Sequence, residues 1–84
     1  MAVNDLAEEA ATIQVYPNPA SDYIYITSSG QPIKQVQLWD SRGRLLKSFF
    51  GPTERIDVRD LPPGFYYLRV FLPDGYTSRK VVVH

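Results

Sequence analysis

The chain has 84 residues, of which 44% are hydrophobic and 13% aromatic, and it contains no cysteine. This length allows one domain with a thin core, the apolar content exceeds that of a disordered tail, and the lack of cysteine excludes disulfides and thiolate metal sites. Nine basic side chains balance nine acidic ones, so the net charge gives no reason to expect nucleic acid or a membrane surface as a partner.

The charges are unevenly distributed along the chain. Residues 1–33 contain four acids and neither Lys nor Arg, whereas residues 34–84 carry all nine basic side chains and five acids. An ordinary solvated surface explains this excess, and a patch for an anionic partner is the alternative. No apolar run approaches the ~20 residues of a membrane-spanning helix, and no hydrophobic signal segment opens the chain. If the protein is exported, we expect its N-terminal signal on a longer parent.

The first part of the chain differs in composition from the rest. Residues 1–12 are rich in Ala, Glu and Asp, and we interpret them as a linker to an upstream parent, with residues 13–84 forming the domain. In the segment that follows, Pro17 and Pro19 flank Asn18, where they fix φ and remove backbone donors. We expect a stiff, extended link in which the Asn18 side chain can bond back to the chain and fix the corner.

Turn-forming residues divide the remaining chain into pieces of strand length, in which apolar side chains alternate with period two. The pattern predicts seven strands, at residues 13–16, 23–27, 33–39, 44–50, 55–58, 64–71 and 78–83. Seven short strands at this spacing are typical of an all-β fold, here a seven-stranded antiparallel immunoglobulin-like β-sandwich. In the strand at 64–71, which is apolar on both faces, we expect Tyr66, Leu68 and Val70 to point inward.

Two connections are predictable from local chemistry. Residues 40–43, Asp-Ser-Arg-Gly, suit a type I turn closed by a glycine with positive φ, where a Cβ would clash. Residues 73–75, Pro-Asp-Gly, suit a second tight turn. Both links should produce antiparallel hairpins.

Residues suited to catalysis are scarce. His84 is the only histidine and there is no cysteine, so we expect no metal site and no cofactor. Asp40, Asp60 and Asp74 fall in predicted turns, where carboxylates cap backbone N–H groups instead of converging in a pocket. The serines lack a histidine base within the domain. The residues therefore predict a protein that is not an enzyme.

The aromatic side chains allow more than one interpretation. Basic and aromatic residues alternate near Tyr66–Arg69, but a buried central strand explains them better than a stacking platform for nucleic acid, which is not expected as a partner. By its parity Trp39 should be partly exposed, and it either fills the edge of the sandwich or stacks on a sugar. Together with Tyr23 and Tyr25 it is the candidate platform of the alternative function, an immunoglobulin-like accessory module for carbohydrate binding or adhesion.

Four short motifs follow one another along residues 13–84. They are a Y-P-N-P segment, a D-x-x-G turn, an L-x-x-G-x-Y step and a terminal Lys with valines, comprising Tyr16, Pro17, Asn18, Pro19, Asp40, Gly43, Leu61, Gly64, Tyr66, Lys80, Val81, Val82 and Val83. Each motif alone is weak, whereas their order and spacing together are specific. The series resembles the type A C-terminal sorting domain of type IX secretion substrates.

This resemblance implies a non-catalytic signal at the C-terminus of a larger protein, which crosses the periplasm and then the outer membrane to reach the cell surface or the medium. The partners that it implies are the type IX translocon, its outer-membrane shuttle and a sortase-like peptidase. In the family, many such domains are removed by that peptidase, which joins the parent to anionic lipopolysaccharide, and others stay attached. The processing site would lie within residues 1–13.

The resemblance also places translocon recognition in the last strand, at Lys80, Val81, Val82, Val83 and His84, and gives the other motif residues a structural role. His84 stands where Lys or Arg is frequent in the family. A last strand would offer a partner its edge of backbone groups and an outward row of Ser78, Lys80 and Val82, with Val81 and Val83 inward. The alternative is that the valines only complete the sheet, so that deleting residues 81–84 would unfold the domain.

Overall fold

The computed structural model of the chain describes residues 12–84, so the predicted linker lies outside the described residues except for its last one. Seven strands follow in order: β1 (Thr12–Tyr16), β2 (Tyr23–Ser29), β3 (Gln35–Asp40), β4 (Leu45–Phe50), β5 (Arg55–Asp57), β6 (Gly64–Leu72) and β7 (Gly75–Val83). They form two antiparallel sheets, a smaller one with the order β1-β2-β5 and a larger one with the order β4-β3-β6-β7. The predicted all-β fold of seven strands is confirmed.

The strand boundaries differ from the predicted ones mainly at β7. This strand begins at Gly75, three residues before the predicted start, because its first residues already pair with the end of β6, from Leu72 opposite Gly75 onward. β3 begins at Gln35, two residues later than predicted, although Ile33 is still buried. Across the described part of the chain, no helix has the length and apolarity needed to cross a membrane.

The core lies between the two sheets and is built from alternating side chains, as the period of two requires. The inward positions of Tyr66, Leu68 and Val70 in β6 are confirmed, and so are those of Val81 and Val83 in β7. The other members of the buried cluster are Ile13, Ala20, Ile24, Ile26, Ile33, Val36, Leu38, Ile56 and Val58. No polar or charged residue of the described chain is buried among them.

The turn between β3 and β4 has the predicted form. Gly43 adopts a φ of 87°, and its N–H donates to the Asp40 carbonyl oxygen at 3.1 Å. The Asp40 carboxylate accepts three bonds, from the N–H groups of Arg42 and Arg44 at 2.9 Å each and from Arg44 Nε at 2.8 Å. Donation from the Arg44 backbone and side chain lowers the pKa of Asp40 below its ordinary value. The aspartate therefore holds the hairpin closed.

A tyrosine fixes the connection from β5 to β6. The Tyr66 hydroxyl donates to the Pro62 carbonyl oxygen at 2.5 Å, four residues earlier in the chain. Sandwich domains of the immunoglobulin type use a tyrosine in this way at the corresponding corner. The fourth strand, however, lies beside β3 in the larger sheet, whereas a constant-type immunoglobulin domain places it beside the fifth strand. The immunoglobulin-like assignment stays a prediction.

Candidate functional site

The motif residues, which are scattered over the sequence, lie together at one end of the sandwich. Three neighbouring strands of the larger sheet bring Asp40, Tyr66 and Val81 into a row, because Asp40 pairs with Tyr66 and Tyr66 pairs with Val81. One step further along the same strands, Gly64 lies opposite Val83. This end of the molecule, where β3 and β7 finish and β6 begins, is the candidate functional site.

Residues 16–20, here called the proline segment, run along the outer edge of β7. Ala20 forms a parallel bridge with Val83, in which the Ala20 N–H donates to the Val82 carbonyl at 2.8 Å and the His84 N–H donates to the Ala20 carbonyl at 2.9 Å. Asn18 extends this pairing with its side chain, which accepts from the Val82 N–H at 2.9 Å and donates to the Lys80 carbonyl at 3.2 Å.

The amide of Asn18 therefore takes the place that a peptide group of a further strand would occupy. This side chain is needed because Pro17 and Pro19 have no N–H to donate. Asn18 does bond back to the chain as expected, but its partners are the backbone groups of Lys80 and Val82, which lie 62 and 64 residues further along the sequence. The expectation of an open backbone edge in the last strand is wrong for residues 80, 82 and 84.

The inner face of the same strand end is closed by packing. Val81 and Val83 are buried, and Ala20, at 1% exposure, packs in the same core cluster. Leu61 is partly buried against that cluster, so the motif residues of the β5–β6 connection also support this end. The valines therefore complete the sheet, which supports the alternative reading in which deletion of residues 81–84 costs folding.

The outward side chains of the strand end are accessible. Lys80 is exposed, and its Nζ lies 4.3 Å from the centre of the Phe65 ring on β6. Val82 is half-buried on the same face, and His84 is exposed beyond the strand. At the start of the proline segment, Tyr16 stacks on Tyr25 of β2 with ring centres 5.9 Å apart. Among the residues predicted to recognise the translocon, Lys80 and His84 present the most accessible chemistry.

Ion pairs hold β4 and β5 near this end. Lys47 Nζ lies 2.8 Å from the Asp60 carboxylate and 2.6 Å from the Asp57 carbonyl, and Arg59 pairs with the Asp57 carboxylate at 2.8 Å. Donation by Lys47 lowers the pKa of Asp60, and donation by the Arg59 side chain lowers the pKa of Asp57. These carboxylates are engaged in local pairs, and within residues 12–84 no group of three or more potential metal ligands lies together.

The structure separates the aromatic residues of the predicted sugar platform. Tyr23 and Tyr25 lie on β2 and face outward from the smaller sheet, with ring centres 6.3 Å apart. Trp39 lies on β3 of the larger sheet and is half-buried, as its parity predicted. The two sheets face opposite ways, so these three rings cannot form one platform.

The structural role of Ala20, which directly follows the Y-P-N-P motif, was not predicted from the sequence. Ala20 is a small residue in a link between strands and carries no chemical signal, yet its backbone closes the edge of β7 and its side chain is buried. The missing information is the long-range pairing of residues 18–20 with residues 80–84, which no local pattern reveals.

A comparison with protein families gives one match. The family model described as a secretion system C-terminal sorting domain matches residues 14–84, which includes every motif residue discussed above. A search of curated proteins found no match. The matched range covers all but the first two residues of the domain that the structure describes.

Proposed function

The chain belongs to the family of type IX secretion C-terminal sorting domains, and from this premise we propose that it acts as a non-catalytic signal read at the proline-segment end of the sandwich. Membership of this family implies interaction with the type IX system and export across the outer membrane to the surface or the medium. The proposal adds which residues are read, namely the exposed Lys80 and His84 and the outward side of Val82 between them. The buried Val81 and Val83 hold this strand end in place for recognition.

The observation that carries the proposal is the placement of the motifs. Positions from four separate parts of the sequence meet at one end of the fold, around the terminus of the last strand. Within residues 12–84 the carboxylates of Asp40, Asp57 and Asp60 are each engaged by an Arg or Lys side chain. A folded end that exposes Lys80 and His84 suits recognition by another protein better than chemistry.

The finer course of export is part of the same proposal. The domain passes through the periplasm on a larger parent, is recognised by the translocon and its outer-membrane shuttle, and is then a substrate of the sortase-like peptidase. The cleavage site lies within residues 1–13, and since β1 begins at Thr12 the part of this range ahead of the sandwich is residues 1–11. The released parent is joined to anionic lipopolysaccharide. The support for these steps is the family alone.

A fusion tests the proposal directly. Residues 1–84 are attached to an inert reporter that carries an N-terminal signal, in a host that has type IX machinery. We expect the reporter at the cell surface or in the medium. A reporter that accumulates in the periplasm would contradict the assignment of a sorting function.

Lys80→Glu in the same fusion tests the recognition residues. Lys80 is exposed and forms no ion pair within residues 12–84, so the folded state should tolerate the change while export falls by about tenfold, as expected for a lost charge contact. The matched control is Lys34→Glu, an exposed lysine just before β3. Equal export of both variants would remove Lys80 from the recognition site.

A further inference from the structure

The outward face of the larger sheet is unusual in what it exposes. Register places the side chains of β3, β6 and β7 that point away from the core on one continuous face, and these are Gln35, Gln37, Trp39, Phe65, Tyr67, Arg69, Phe71, Tyr76, Ser78, Lys80 and Val82. Phe65, Tyr67 and Tyr76 are 53%, 43% and 57% exposed. Tyr, Trp, Phe and Arg are the residues enriched in the energetic centres of protein interfaces.

Arg69 lies at the centre of this face and has no anionic partner. Its guanidinium carbon lies 5.4 Å from the centre of the Trp39 ring and 4.7 Å from that of the Tyr76 ring. Within residues 12–84 the guanidinium makes no hydrogen bond or ion pair, and its Nε is removed from water without an acceptor. The two rings hold the cation in place while its hydrogen-bonding capacity stays unused.

Lys80 on β7 is held over an aromatic ring in the same way as Arg69. It lies opposite Tyr67, which is two residues from Arg69 along β6. Its ammonium is held over the Phe65 ring and pairs with no carboxylate of the described residues. None of the eleven positions on the face is Asp or Glu. Three basic side chains outside this face, Arg44, Lys47 and Arg59, each pair with an aspartate at 2.8 Å, whereas Arg69 and Lys80 pair with aromatic rings. The face therefore has an uncompensated positive charge at two sites that the aromatic rings keep ordered.

A hollow of about 280 Å³ lies beside Arg69, lined by Trp39, Tyr67, Ser78 and residues of the β3–β4 turn. Asp40 also lines the hollow, and its carboxylate is already engaged by Arg44. The hollow has room for one side chain from a partner, and a carboxylate placed there would reach the free N–H groups of Arg69.

We propose that this face docks a protein partner that inserts an acidic side chain against Arg69 and places a second acidic group near Lys80. A sugar is a poorer occupant, because the guanidinium and the ammonium cover the ring faces of Trp39, Tyr76 and Phe65 on which a sugar would stack. The inference rests on the proposed function, since it extends the recognition site from the end of β7 across the sheet, and the partner is then a component of the export machinery.

Charge reversal in the reporter fusion tests the docking face. Arg69→Glu should lower export by about tenfold or more, the effect of losing a central charge contact in an interface, and Arg69→Gln should lower it less. The matched control is Arg55→Glu, because Arg55 is also held over a tyrosine, with its guanidinium 4.6 Å from the Tyr23 ring centre, but on the smaller sheet. Urea unfolding of the purified domains shows whether each variant is folded.

The outcomes separate this inference from the proposed function. If the unaltered fusion is not exported, the proposed function fails. If it is exported and folded Arg69→Glu is exported as well as Arg55→Glu, only the docking face fails. Should Arg69→Glu not fold, the comparison of Arg69→Gln with Arg55→Gln decides in the same way.

Fluorescence gives a direct test, because Trp39 is the only tryptophan. We expect polyglutamate to change the Trp39 emission of the full chain, added salt to reverse the change, and Arg69→Gln to abolish it. Polygalacturonate serves as the acidic polysaccharide. An emission that polyglutamate leaves unchanged, a change that persists in Arg69→Gln, or a stronger response to polygalacturonate would each overturn the proposal of a protein partner.

Discussion

The two edges of the larger sheet are treated differently by the chain. At the β7 edge, the proline segment supplies four hydrogen bonds to residues 80, 82 and 84. At the β4 edge, no strand within residues 12–84 pairs with the outer side, and Phe50 is 82% exposed. β4 is held instead by Lys47, whose ammonium bonds to the Asp57 carbonyl and the Asp60 carboxylate. Its pairing with β3 also shifts register between Leu38 and Trp39.

The difference shows which strand depends on distant parts of the chain. β4 is joined to its neighbour by a tight turn, so its pairing is local in sequence. The end of β7 depends on contacts with residues more than sixty positions earlier, and only the folded whole brings them together. A signal located at that end is consequently readable only in a folded domain.

The largest expected effect on the difference between the β4 and β7 edges comes from removing buried side-chain atoms at the end of β7. Val81→Ala deletes two methyl groups at a fully buried position, so we expect a loss of about 2–3 kcal/mol in the free energy of unfolding. Urea unfolding measures it. Val82→Ala, at the half-buried neighbouring position, is the control and should cost clearly less. Equal losses for the two variants would contradict the inward assignment of Val81.

A milder change removes the hydrogen bonds alone. Asn18→Ala leaves the Val82 N–H and the Lys80 carbonyl without their protein partner, and we expect a loss of about 1–2 kcal/mol and faster hydrogen exchange at the Val82 amide. The control is Gln35→Ala, which removes a single exposed bond to the Ser48 hydroxyl of β4. If Val82 exchange were unaffected, the pairing between the proline segment and β7 would be unsupported.

The smallest expected effect is a difference between the two edges in how their amide protection depends on pH. The hydrogen bond from Lys47 lowers the pKa of Asp60 below 3.8, the ordinary value for aspartate. This pair therefore contributes fully to stability above pH 3.8, and the contribution disappears as the pH falls through the lowered pKa. The bonds that close the β7 edge involve an amide and backbone groups, which do not titrate. Below pH 4 we therefore expect amide protection in β4 to fall before that of Val82, as measured by hydrogen exchange corrected for intrinsic rates.

Asp60→Asn provides the comparison for this titration. The variant has no carboxylate to protonate, so the difference in protection between β4 and Val82 should change less between pH 5 and acid than in the unaltered chain. Loss of Val82 protection ahead of β4 in the unaltered chain would show that the β7 edge is the acid-sensitive one.

The features that could be predicted from the sequence are those set by regular patterns among nearby residues. The period of two placed Leu68 and Val70 inward correctly, and the D-x-x-G pattern identified the turn that Asp40 closes. These features depend on neighbours in the chain. The motif series was also sufficient to indicate the family, which the match over residues 14–84 confirms.

The sequence could not predict contacts between distant parts of the chain, because these depend on which strands share a sheet. Tyr23 and Trp39 both alternate as outward residues should, but alternation does not tell whether two strands belong to the same sheet, and these lie on opposite sides of the sandwich. For Asn18, the sequence predicted a bond back to the chain but not the partners. These lie 62 and 64 residues away and are adjacent to Asn18 only in the folded domain.

The parallel bridge between Ala20 and Val83 has a mechanical consequence. Because the proline segment and β7 run in the same direction, tension applied between residue 12 and residue 84 pulls the two along their length in opposite senses. The hydrogen bonds of Asn18 and Ala20 would then share the load in shear, instead of parting one after another as in a peeled hairpin. We therefore expect these bonds to resist tension between residues 12 and 84, with the resistance governed by the rate of unfolding under force.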